Sequence, residues 1–90
     1  MTVYLITYDL NSEDRDYTAL YDEIENLGNA QRILKSVWLV KVHNLNAKKI
    51  SDKLRSVMDK KDLLYVVKND DSERQGWLYS SNWKWLKDNT

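Results

Sequence analysis

Cysteine is absent from these 90 residues and glycine occurs only twice. Without a thiol the chain can form no disulfide and no thiolate zinc site, and it shows none of the cross-linking of small secreted domains. With only Gly28 and Gly76 there is no glycine-rich loop to cradle a phosphate. The single histidine, His43, has no serine or cysteine beside it to complete a triad and is expected to be a structural residue at a strand end. No stretch is long enough to span a membrane, and the N-terminus lacks a basic region leading into an apolar run. The expectation is a cytoplasmic, soluble domain with no membrane partner.

A single domain of this size has a marginal core and no covalent staple to supplement it. A homodimer is therefore expected, because a subunit interface adds buried apolar surface. The zero net charge conceals a segregation. Residues 1–29 carry seven acids (Asp9, Glu13, Asp14, Asp16, Asp22, Glu23, Glu25) against Arg15 alone. Residues 30–61 carry nine bases (Arg32, Lys35, Lys41, Lys48, Lys49, Lys53, Arg55, Lys60, Lys61) against Asp52 and Asp59. A neutral total argues against a strongly basic nucleic-acid binder, while the segregation leaves room for one basic face. The alternative is that two helices simply solvate their outer surfaces with opposite charges.

The chain opens with a run that is apolar or aromatic on both alternating faces: Val3, Leu5 and Thr7 on one, Tyr4, Ile6 and Tyr8 on the other. That pattern predicts a central strand covered on both sides and ending on Asp9. Asn11 or Ser12 then caps a helix whose first turn holds Glu13 and Asp14. Tyr17, Leu20, Ile24 and Leu27 recur at helical spacing, with Gly28 as the stop. Residues 30–42 read as two strands bent at Lys35-Ser36, and Val37 to Val42 is again apolar on both faces. Asn44 or Asn46 caps a second helix with Ile50, Leu54, Val57 and Met58 on one side and lysines on the other. Leu63 to Val67 completes an α+β, ferredoxin-like β-α-β-β-α-β order over residues 1–68. Trp38, in a strand without the Gly-aromatic pattern of ribonucleoprotein motifs, is read as core.

Residues 69–90 form an extension. A polar link, Asn69-Asp70-Asp71-Ser72-Glu73, leads to Trp77-Leu78-Tyr79 and then Trp83-Lys84-Trp85-Leu86. So much apolar surface needs cover. The expectation is that residues 76–79 add a short extra strand to the sheet edge of a partner subunit, making Trp77, Leu78 and Tyr79 dimerisation residues, with Trp83–Leu86 packed over the joint. The competing arrangement folds the tail onto its own sheet.

Asp9 is the candidate catalytic and metal-ligating residue. One carboxylate cannot hold magnesium alone, but two Asp9 side chains meeting on a two-fold axis could share an ion and activate water for phosphodiester attack. The alternative is that Asp9 only caps the turn after it.

The strand closing on Tyr8-Asp9-Leu10, the helix ending in Leu27-Gly28, and Ala30-Gln31-Arg32-Ile33-Leu34-Lys35-Ser36-Val37-Trp38 together resemble the small CRISPR-associated nuclease family that partners the integrase in spacer acquisition. They resemble equally its stand-alone, ribonuclease-like relatives, over about residues 3–67 in order and spacing. The resemblance implies a ferredoxin-like homodimer with Asp9 facing its symmetry mate across Mg2+ or Mn2+. It also implies a role as a metal-dependent endonuclease on RNA or DNA, or as a non-catalytic scaffold on nucleic acid in a prokaryotic or phage defence or counter-defence system, with an integrase as a partner. Two departures favour a stand-alone relative: the first helix is acidic, and the Trp-rich tail lies outside the family's common core. On electrostatic grounds Arg32, Lys35, Lys48 and Lys49 are the expected nucleic-acid-binding residues.

Overall fold

The computed structural model describes residues 1–70 and 72–90, so Asp71 of the expected link lies outside the described residues. Four strands, β1 (Thr2–Asp9), β2 (Asn29–Leu34), β3 (Val37–Val42) and β4 (Leu63–Lys68), form one antiparallel sheet in the order β2-β3-β1-β4. Helices α1 (Thr18–Asn26) and α2 (Ala47–Arg55) connect them, and a third, α3 (Ser80–Asn89), follows. The result is an α+β architecture compatible with a ferredoxin-like fold. The two strands with apolar residues on both faces, β1 and β3, are the two that have neighbours on both sides.

Alternation along the strands divides the sheet into two faces. Tyr4, Ile6, Tyr8, Trp38, Val40 and Val42 point to one of them and pack against Leu20 and Ile24 of α1 and Ile50 and Leu54 of α2. This is the main core, and Ile6, Leu20, Ile24, Val40, Ile50 and Leu54 have no exposed surface. Each fully buried aliphatic side chain there contributes about 1.5–3 kcal/mol. The opposite face carries Val3, Leu5, Thr7 and Asp9 from β1, level with Lys41, Leu39 and Val37 of β3 and with Val67, Tyr65 and Leu63 of β4.

One local reading changes and two are sharpened. The first helix starts at Thr18, not after Asn11 or Ser12, so Glu13 and Asp14 precede it. Two long-range bonds hold the segment between instead, the Asn11 N–H and the Tyr17 hydroxyl both donating to Asp62, and locally Asp16 accepts from the Thr18 N–H and hydroxyl. Gly28 does not have a positive φ. It is needed for close approach, because a Cβ at this position would lie 2.2 Å from the Lys41 carbonyl oxygen. Of the two candidate caps for α2, Asn46 accepts from the Lys49 N–H at 2.8 Å, while Asn44 takes φ 55° in the approach.

The extension differs most from expectation. Among its described residues it contains a helix and no strand, and residues 76–79 are irregular in the subunit. Asn82, Trp85, Leu86 and Asn89 recur at helical spacing, which turns them to one side. Trp85 and Leu86 pack on Val3 and Leu39 of the chain's own sheet. Polar bonds fix the register: Gln31 Nε2 donates to Asn82 Oδ1 at 2.7 Å, Trp85 Nε1 to Asn29 Oδ1 at 3.2 Å, and Asn29 Nδ2 to Asn89 Oδ1 at 2.9 Å. The indole and amide groups that burial would otherwise leave unpaired are satisfied by β2, an edge strand with side chains to spare. Through α3 the tail thus takes the competing arrangement, folded onto the chain's own sheet.

Candidate functional site at the end of β1

Asp9 is the last residue of β1 and is exposed. By strand alternation it stands on the face opposite α1 and α2, level with Leu63 of β4, with Thr7 and Tyr65 one step back. Thr7, Tyr8, Asp9, Leu63, Leu64 and Tyr65 line an open depression of about 180 Å³. The Asp9 carboxylate has no hydrogen-bond or ion-pair partner among the described residues, so it does not cap the following turn. Its backbone is held instead: the carbonyl accepts from Asn11 Nδ2 at 3.4 Å, and the same nitrogen donates to the Lys61 carbonyl at 3.0 Å.

Behind Asn11 lies Asp62, which is only 4 % exposed and was missed by sequence reasoning. Its Oδ1 accepts from the Asn11 N–H and the Tyr17 hydroxyl, each at 2.7 Å, and its Oδ2 from the Asp59 N–H at 2.8 Å. Burial alone would raise its pKa. The bonds from Asn11, Tyr17 and Asp59, with the positive charge of Arg15, outweigh burial and hold the carboxyl below the usual aspartate value. Burial, then the bond to Asp62, raises the Tyr17 hydroxyl in turn. The available signal was the spacing Asp59-Lys60-Lys61-Asp62 in a short helix-to-strand connection, where aspartates commonly accept backbone N–H groups.

On the other flank the β2–β3 turn approaches β1, with the Tyr8 N–H donating to the Ser36 carbonyl at 3.2 Å. Trp38 Nε1 donates to the Tyr8 hydroxyl at 3.0 Å, and burial raises the pKa of that hydroxyl. Arg32 lies over the Tyr21 ring at 4.7 Å and the Trp38 ring at 5.6 Å, and its Nε and Nη2 donate to the Lys35 carbonyl. The guanidinium is thus engaged in packing and in closing the hairpin.

The four expected phosphate-binding residues are not gathered at one place. Arg32 and Lys35 flank the end of β1. Lys48 and Lys49 occupy the first turn of α2, which begins where β3 ends and so lies at the opposite end of the sheet from Asp9. Nine helical residues, about 13 Å at 1.5 Å each, separate that turn from the α2–β4 connection beside Asp9. His43 is exposed just beyond β3 and also far from Asp9. Trp38 is core, as expected.

As a metal centre the single subunit is incomplete. Among the described residues no three His, Cys, Asp or Glu side chains converge. The oxygen donor of Asp9 suits a hard divalent cation, but a subunit offers one such carboxylate here. No helix among the described residues is long and apolar enough to cross a membrane.

A four-stranded antiparallel sheet with helices, compatible with a ferredoxin-like fold and carrying one exposed acid at the end of a central strand, defines a class of small α+β proteins. The chain belongs within that class to the family described as CRISPR associated protein Cas2, whose model matches residues 1–75. No curated protein and no solved structure matches it. The family match ends just before Trp77, so α3 lies beyond it.

Proposed function

We propose that the protein is a homodimeric, divalent-metal-dependent, nuclease-like protein acting on RNA or DNA. The observation that carries this reading is the shared face of Asp9 and an uncovered apolar row. Leu63 and Tyr65 are each 62 % exposed and Val67 37 %, and all three stand beside β1 on the Asp9 side. An exposed apolar row of this kind is a place for a partner to bind. A second copy docked there brings two strand-end carboxylates towards one axis and supplies the pair that one subunit lacks. Magnesium or manganese bound between them would polarise a phosphodiester and help activate water. The protein's own part is to hold Asp9 in place through Asn11 and Asp62 while leaving its carboxylate free. Trp77 and Tyr79, 97 % and 84 % exposed, are the dimerisation residues this reading adds to the row, whereas Leu78, expected with them, packs against Val3, Leu39, Trp85 and Leu86 of its own chain.

A non-catalytic dimer that binds or scaffolds nucleic acid is the second reading, and the lone carboxylate of the subunit favours it. Purified protein incubated with RNA and with duplex DNA, with and without magnesium or manganese, separates the two. Metal-dependent cleavage that disappears in a folded, dimeric Asp9→Ala variant supports the enzyme. Equal cutting by both proteins removes the catalytic claim, and a wild-type chain that stays monomeric at tens of micromolar removes the shared site.

A further inference from the structure

We infer that Lys60 and Lys61, in the connection between α2 and β4, form a phosphate-binding subsite for a nucleic-acid strand passing Asp9. The inference rests on the proposed action on nucleic acid and names the part of the surface that receives the backbone.

Covalent topology places this loop beside Asp9, and hydrogen bonds fasten it there. Asn11 Nδ2 bridges the Asp9 and Lys61 carbonyls, and the Asn11 N–H ties the same corner to Asp62. The loop's acids are turned inward onto backbone. Asp62 accepts three bonds through its two oxygens, and Asp59 accepts from the Lys61 N–H at 2.9 Å and lies 3.9 Å from Arg15. The arginines at this end are likewise committed. Arg55 Nη1 donates to the Asp59 and Asp62 carbonyls, and Arg15 Nη2 to the Val57 carbonyl at 3.0 Å. Within the loop itself the uncommitted cations are Lys60 and Lys61: both are exposed, and neither ammonium has an ion pair among the described residues. Two adjacent, solvated point charges on a loop held by its own backbone bonds suit a phosphate backbone, which demands charge and no base-specific geometry. Lys35, on the hairpin across β1, is exposed on the other flank, so a strand crossing the Asp9 depression meets cations on both sides.

The test compares Lys60→Ala/Lys61→Ala with Lys48→Ala/Lys49→Ala, both in the full chain. Both pairs are solvent-exposed, the loop's bonds use none of the Lys60 or Lys61 side-chain atoms, and the Lys48–Asp52 pair on α2 is an exposed one of little stabilising weight, so melting temperatures should stay close to wild type. Binding of fluorescently labelled duplex DNA and single-stranded RNA is followed from 50 to 200 mM salt. The loop variant should lose about 1.8 in the slope of log affinity against log salt on duplex and about 1.4 on single strands, and the α2 variant should lose nothing. Wild-type binding with an unchanged slope in the loop variant, or an equal loss in the α2 variant, overturns the inference. A wild-type chain that binds neither nucleic acid instead overturns the reading on which it rests.

Discussion

On the face of the sheet that carries α1 and α2 the apolar side chains of the two central strands are all buried, whereas on the opposite face burial stops part-way across. α3 covers Val3 and Leu39, but Leu63, Tyr65 and Val67 on β4 remain open. The covered part was built by this chain alone: a helix spacing of apolar residues, and polar side chains on β2 that accept and donate to it. The open part also has an apolar strand, and among the described residues nothing lies over Leu63, Tyr65 and Val67. Folding and function therefore divide by location. Residues on the covered side should register as stability, and residues on the open side as association and binding.

The sharpest form of that contrast is Leu54→Ala against Leu63→Ala. Leu54 has no exposed surface, so its truncation should cost about 4 kcal/mol in urea denaturation. Leu63 is mostly exposed, and the same change should move subunit stability by less than about 0.5 kcal/mol. Its effect should appear as weaker self-association in sedimentation. Comparable stability losses from both would show that the two faces are equally committed to the subunit's own core.

The tail sharpens the comparison within one segment. Trp85 is 9 % exposed and Trp77 is 97 % exposed, eight residues apart. Trp85→Ala should cost about 3 kcal/mol, since it removes packing on Val3 and Leu39 together with the bond to Asn29. Trp77→Ala should leave the monomer's melting temperature unchanged, with any loss confined to dimerisation. A large loss of monomer stability from Trp77→Ala would mean that Trp77 seats on its own sheet, as Leu78 beside it does.

Most of the strand content was legible because two-faced apolar runs and a soft polar break at Lys35-Ser36 are local signals. Leu20, Ile24, Ile50 and Leu54 were legible for the same reason. What escaped depends on partners far away in the chain. The start of α1 moved to Thr18 because Asn11 and Tyr17 are claimed by Asp62, roughly half the chain away, and no local pattern announces that claim. Trp83-Lys84-Trp85-Leu86 has no periodicity long enough to separate helix from strand; Asn82 and Asn89, which decide it, matter only once β2 lies beneath them. The position of Asp9 at the end of a strand was legible because it is local. That the Lys60-Lys61 loop is tied to the same corner was not, since that proximity comes from topology and Lys48 and Lys49 look the same in sequence.

Asp62 tests whether the corner behind Asp9 belongs to the stable or the functional side of the contrast. Asp62→Asn replaces one acceptor oxygen by a donor facing other donors, and should cost about 2 kcal/mol at neutral pH. Because the folded-state pKa is lowered, the carboxylate's contribution is complete above the unfolded value near 3.8 and is lost as pH falls through the lower folded one. Wild-type stability should therefore fall more steeply than that of the variant as pH is taken below about 4. Parallel acid-denaturation curves for the two proteins would show that the hub contributes nothing through its charge.

The smallest expected effect concerns Arg32, which borders both sides of the contrast. Its guanidinium spans the Tyr21 and Trp38 rings and donates two bonds to the Lys35 carbonyl, a geometry that a lysine ammonium cannot reproduce. Arg32→Lys keeps the charge and loses the planar fork, so it separates packing from phosphate attraction. Stability should drop by about 1 kcal/mol, and a double-mutant cycle with Tyr21→Leu should return a coupling of about 0.5–1 kcal/mol. The salt slope of nucleic-acid binding should be unchanged, because no phosphate contact is removed. If stability holds and affinity for duplex DNA falls instead, Arg32 faces the nucleic acid, and the hairpin flank of Asp9 is part of the binding surface, with its packing on the rings secondary.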